Sequence, residues 1–134
     1  MLRLIAGVVV GLLVGLIVTA TIESIGHMLF PPQGVNLTDP AALRAALDRI
    51  PREAKVFIVL GWFLGVLAGV ATACLLAGRR ALAGRIAGAL FGVFLAWTLS
   101  TLTYPLWMSV AAVIAAAAGA VLADRAFGRP RTGR

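Results

Sequence analysis

Four runs of the chain, about 4–28, 54–77, 85–103 and 106–123, are apolar almost throughout. Each reaches or nearly reaches the roughly 17–25 residues that a helix needs to cross a bilayer. That feature decides the class of fold. Lipid offers no partner for backbone N–H and C=O groups, so an apolar run of this length is expected to satisfy its own backbone as a helix. Hydrophobic residues make up 61% of the 134-residue chain, against about 45–50% in ordinary soluble domains. A soluble domain of this size has too little interior to hide that much apolar surface. The expectation is an all-α fold: a four-transmembrane-helix bundle occupying residues 1–124, followed by a basic tail over 125–134.

The net charge of +7 would point to nucleic acid in a soluble protein. Its placement argues otherwise. Arg3, Arg79, Arg80, Arg85, Arg125, Arg129, Arg131 and Arg134 fall on one side of a four-span chain, and Arg44, Arg49, Arg52 and Lys55 on the other. Eight against four puts both termini in the cytoplasm by the positive-inside rule, and no nucleic-acid partner is expected. Eleven arginines to one lysine is the codon bias of a GC-rich bacterial genome, so the expected location is a bacterial inner membrane. The first run begins after Arg3 and contains Val18-Thr19-Ala20, which resembles a signal-peptide cleavage site. It is long for a signal peptide and carries glycines at helical spacing, and is read as an uncleaved span. Cys74, the single cysteine, falls inside the second run and is read as a small buried hydrophobe.

Glycine recurs at every fourth position in three runs: Gly7, Gly11 and Gly15; Gly61, Gly65 and Gly69; Gly84, Gly88 and Gly92. The fourth has a looser version in Ala111, Ala115, Gly119 and Ala123. Glycine weakens a helix, so this recurrence needs a reason. Small residues let two backbones approach closely, and close packing drives helix association in lipid. These positions are expected to be packing faces, against helices of this chain or of a partner.

One connection is long, Phe30 to Arg52. Pro31-Pro32-Gln33-Gly34 ends the first helix. Asp39 and Pro40 are suited to open a short helix over 40–50, with Leu43, Leu47 and Ile50 on one face and Pro51 as its stop. At about 15 Å such a helix cannot span, and it is expected to lie in the outer interface. Thr103-Tyr104-Pro105 is a tight turn between the last two spans, with Pro105 suited to the first position of the fourth helix.

Polar residues gather at one end of the spans, the end of the long connection. They are Thr19, Thr21, Glu23, Ser24 and His27 in the first; Trp62 in the second; Trp97, Thr98, Ser100, Thr101 and Thr103 in the third; and Tyr104, Trp107 and Ser109 at the start of the fourth. Glu23 lies about 7 Å below the helix end. Intramembrane acids are costly and tend to face protein or water. Glu23 and His27 share one helical face, and His27 is the only histidine. The candidate ligand or ion site is therefore Glu23 and His27 with Thr19, Trp97, Ser100, Thr101, Tyr104 and Trp107. The plainer reading pairs Glu23 with His27, Arg52 or Lys55 as a structural contact. One histidine and one carboxylate are too few for a metal. No metal, cofactor or catalytic constellation is expected, and no P-loop, dinucleotide fingerprint, zinc spacing or nucleophile elbow occurs.

Glu23-Ser-Ile-Gly-His27-Met-Leu-Phe-Pro-Pro32, then Ile50-Pro51, then Pro105-Leu-Trp107, resembles a group of small uncharacterised bacterial four-helix inner-membrane proteins that share an E-x-x-G-H-x-x-F-P-P segment and a late P-x-W. The group has a histidine before the late proline where this chain has Tyr104, so a His–His pairing does not carry over. The resemblance implies the architecture and no reaction. The leading functional expectation is a non-enzymatic structural or accessory subunit, packed with itself or with the helices of a larger membrane complex. The alternative is a small transporter or channel with its polar site at Glu23 and His27.

Overall fold

The structure, a computed structural model, describes residues 1–31, 38–39, 41–42, 50–102 and 104–128. The expected helix over 40–50, Thr103 and the arginines of the tail lie wholly or largely outside the described residues. Four helices make up the rest: α1 (Leu2–Leu29), α2 (Arg52–Leu76), α3 (Ala81–Thr101) and α4 (Leu106–Phe127). No strand occurs among the described residues. Each helix is long and apolar enough to cross a membrane. Their outward faces carry large apolar side chains such as Leu13, Ile17, Val93, Ile114 and Leu122. So much exposed apolar surface suits lipid as solvent and not water. The chain is a multi-pass membrane protein.

The helix ends follow from local chemistry. The α2–α3 reversal is built on Gly78 at φ 72° and Arg79 at φ 61°. The Arg79 N–H donates to Cys74 O at 2.7 Å and the Gly78 N–H to Leu75 O at 3.1 Å, the paired bonds of a Schellman ending with glycine in the left-handed position. The turn finishes at Arg80, so α3 starts at Ala81, four residues before the apolar run that marks it in the sequence. A helix continues through Arg85 because its hydrogen bonds do not depend on hydropathy. Pro51 and Pro105 both stand just outside their helices as N-caps. Pro105 is thus one residue earlier than the first helical position, and its carbonyl accepts the Met108 N–H at 3.0 Å and the Ser109 N–H at 3.1 Å. α4 runs on to Phe127, into what reads in the sequence as tail.

α2 is the hub. It packs against all three other helices, α3 also touches α1 and α4, and α1 and α4 do not meet. Small residues set the spacing. A Cβ placed on Gly11 would lie 2.5 Å from Gly69 O, and one on Gly69 would lie 2.8 Å from Gly11 O, so the α1 and α2 backbones are in direct contact there. Gly119 brings α4 equally close to α2, 2.6 Å from its imagined Cβ to Phe63 O. Gly84 sits against Cys74 Sγ, and the thiol is fully buried. Thr19 Oγ1 donates to Gly15 O at 2.9 Å and across to Gly61 O at 3.2 Å, tying α1 to α2 at mid-depth. The α3 series differs. Gly88 meets only ordinary contacts, Ala120 Cβ at 3.5 Å and Val70 Cγ2 at 3.6 Å, and Gly92 meets nothing within 4 Å.

The ring of Phe91 enters the gap that these glycines leave. It is 1% exposed and reaches both Gly15 and Gly69. Below it, toward the termini, α1, α2 and α3 are closely packed. Above it, toward the 30–52 connection, a gap opens between α1 and α3.

Candidate functional site

That gap is a cavity of about 440 Å³. α1 supplies Leu16, Thr19, Ala20, Glu23 and His27. Ile58 and Trp62 of α2 form its back, and Phe94 and Thr98 of α3 face α1 across it. Ile50, Leu102 and Tyr104 line the end toward the connection. From Leu16 to His27 the lining of α1 spans about 16 Å at 1.5 Å per residue.

Helix geometry explains how Glu23 and His27 reach it. Gly7, Gly11, Gly15, Thr19, Glu23 and His27 form one unbroken i+4 series. Four residues turn a helix by about 400°, so each step drifts about 40° around the axis. The first members lie on α2. By Glu23 and His27 the series has drifted round toward α3, and Gly26, against Phe57, keeps the contact with α2. The same ridge that packs the helices lower down presents the acid and the imidazole to the cavity higher up.

Neither group has a partner. Among the described residues, no hydrogen bond or ion pair engages the Glu23 carboxylate, and the one ion pair is Arg85–Asp124 at 3.4 Å near the opposite end. His27 Nδ1 is buried without a hydrogen bond. The plainer expectation, a structural pairing of Glu23 with His27, Arg52 or Lys55, is therefore not met. The Arg52 guanidinium instead lies 5.6 Å from the centre of the Trp107 ring, and Lys55 is buried in α2 without lining the cavity. Buried polar groups normally find partners, and those that do not call for an explanation.

The candidate residues of the sequence divide into two sets. Thr19, Glu23, His27 and Tyr104 come together on the cavity wall. Trp97, Ser100, Thr101 and Trp107 do not line it. Trp97 is 61% exposed and stacks at 6.0 Å on the outer side of Phe94. The Ser100 and Thr101 hydroxyls turn back to their own helix, donating to Trp97 O at 2.7 and 3.2 Å. Trp107 is taken up by Arg52. Their places on the wall are filled by Trp62, Thr98 and Phe94. Buried Phe91 and Leu95 set the phase of α3, and the same stripe continues one turn on to Thr98 and Leu102. Trp97 and Thr101 lie round the side. That stripe emerges only from the burial of Phe91 and Leu95, and α3 is too uniformly apolar for its sequence to mark Thr98.

Tyr104 is the only tyrosine, which makes its environment measurable. Burial, and then the Glu23 carboxylate beside it, push the phenol from 10.0 up to about 12. The folded state favours the protonated phenol, so this contribution to stability is complete below pH 10 and is lost as the pH rises toward 12. Ultraviolet titration of phenolate should show a midpoint near 12 in the folded protein. It should return toward 10 on unfolding, and Glu23→Gln should lower it by the smaller, electrostatic part. A folded-state midpoint at 10 would place the ring in water and remove it from the wall.

Among the described residues no three His, Cys, Asp or Glu side chains converge to hold a metal. No protein family, curated protein or solved structure matches the chain.

Proposed function

We propose that this is a small, non-enzymatic integral membrane protein that takes up a ligand, a proton or an ion in the cavity between α1 and α3, with Glu23 and His27 as the receiving groups. One observation carries the reading: an intramembrane acid and an imidazole, both without partners, face the same open space. Intramembrane ionisable residues are functional sites by default. The cavity is read as a binding chamber of a small transporter or channel, with Phe91 packed on Gly15 and Gly69 nearby.

The test separates a working site from a structural contact. Glu23→Gln keeps size and hydrogen-bonding capacity but removes the charge. For a working site, Glu23→Gln and His27→Ala should leave melting temperature nearly unchanged and abolish the cellular or transport phenotype. Glu23→Leu should behave likewise. Full function in all three variants would sink the proposal, and loss of stability in place of function would return the pair to a structural role.

A second reading, an accessory subunit packed with itself or in a larger membrane complex, is favoured by Gly92. It continues the Gly84–Gly88 series but meets no neighbour within 4 Å, which leaves room for the close approach of another helix. The placement belongs to the same proposal: a bacterial inner membrane, both termini cytoplasmic, the 30–52 connection and the cavity mouth outside, as the basic residues and the resemblance to bacterial four-helix inner-membrane proteins imply. An impermeant thiol reagent on intact cells should label Gln33→Cys and spare Thr132→Cys. The opposite pattern would invert the protein.

A further inference from the structure

We propose that the cavity binds an amphipathic organic ammonium ion, its cationic head on Glu23 and His27 and its apolar body against Trp62, Phe94 and Ile58. This rests on the reading of the cavity as a ligand site and assigns the chemistry of the ligand.

The wall calls for a ligand that brings donors. The Glu23 carboxylate only accepts while ionised, and the buried, unpartnered Nδ1 of His27 accepts when the imidazole carries its proton on Nε2. An ammonium group supplies up to three N–H donors and the compensating charge. The wall also rejects anions. Among the described residues, no lysine or arginine lines the cavity. Of the two basic residues on the first turn of α2, Arg52 lies over Trp107 and Lys55 does not line the cavity. An anionic ligand would meet Glu23 with no counter-charge among the described lining residues. The rest of the surface is aromatic and aliphatic, which suits an organic body and offers ring faces to a cation. A small inorganic ion would leave most of it uncovered. The volume of about 440 Å³ falls within the range of about 300–1,000 Å³ typical of small-molecule sites.

The experiment uses a series matched in shape and differing in charge: phenethylammonium, phenethyl alcohol and phenylacetate. Binding to the full-length protein in uncharged detergent is followed by equilibrium dialysis. The cation should bind saturably, about tenfold or more tighter than the alcohol, since an ion pair out of water is worth at least that factor. Phenylacetate should not saturate. Glu23→Gln should erase the advantage of the cation over the alcohol, Glu23→Asp should keep it, and Glu53→Gln, on the exposed first turn of α2, should change nothing. Ala20→Phe, which fills the cavity, should block every ligand. Equal binding of alcohol and cation, both blocked by Ala20→Phe, would overturn the ammonium assignment and leave the cavity as a ligand site. Tight cation binding that survives Glu23→Gln would overturn the assignment too. Failure of all three compounds to bind the folded protein would overturn both readings.

Discussion

Replacing Gly11 with alanine is expected to unfold the bundle or to force α1 off α2, at a cost of at least about 3 kcal/mol, the upper end of what overpacking a well-filled interior usually costs. The added carbon would lie 2.5 Å from Gly69 O and 3.0 Å from Ala73 N. Both are backbone atoms. A side chain can rotate away from an intruder, but backbone can yield only if two helices separate along their whole contact, which would also break the Thr19 bridge to Gly61. Gly119→Ala should cost a similar amount, since its carbon would meet Phe63 O at 2.6 Å. The α3 glycines provide the contrast. Gly88→Ala gains only ordinary contacts, and Gly92→Ala meets nothing within 4 Å among the described residues. Alanine is the better helix former by about 1 kcal/mol, so Gly92→Ala should be neutral or mildly stabilising in the isolated chain. Reversible unfolding in mixed micelles measures all four. Equal losses at Gly11 and Gly92 would mean that the α1–α2 contact does not have this geometry. A loss at Gly92 that appears only in native membranes would instead reveal a partner helix.

The difference between Gly11 and Gly92 also shows how far the sequence can be read. Both stand in the same motif, glycine every fourth residue, and nothing in the letters separates them. What separates them is the path of the partner helix. An i+4 ridge drifts around its own helix, so it stays in contact only where a neighbour follows it. α2 follows the α1 ridge from Gly7 to Gly15, while no helix of this chain follows the α3 ridge to Gly92. Four helices long and apolar enough to cross a membrane were legible because hydropathy over twenty residues is a strong signal. Glu23 and His27 were legible as candidates because they are the only such groups deep in the first span. The rest of the wall was harder. α3 is apolar on all sides, so its sequence shows no face, and Trp97, Ser100 and Thr101 were as plausible as Trp62, Thr98 and Phe94. Only the burial of Phe91 and Leu95 fixes the rotation of α3 and turns Thr98 inward.

Phe91→Ala should carry the other large loss of stability. The ring is 1% exposed and fills the hollow left by Gly15 and Gly69. Truncating a buried phenylalanine typically costs about 3–5 kcal/mol, through lost contacts and the void left behind. The glycines cannot close the void, since they have no side chains to move. The void would lie between α1, α2 and α3 at Gly15 and Gly69. Phe91→Leu should lose less, because its branched end still covers part of the hollow. The glycines should prove coupled to the ring. A Cβ on Gly15 meets the tip of the Phe91 ring and also lies 2.7 Å from Gly65 O. Gly15→Ala should therefore cost less in the Phe91→Ala background than in the wild type, but should not become free, because the carbonyl of Gly65 remains. Neighbours that share a contact are expected to be non-additive in this way. A double-mutant cycle on unfolding free energy in micelles measures the coupling. Strict additivity, or a Phe91→Ala protein as stable as the parent, would show that the ring does not seat on the glycines.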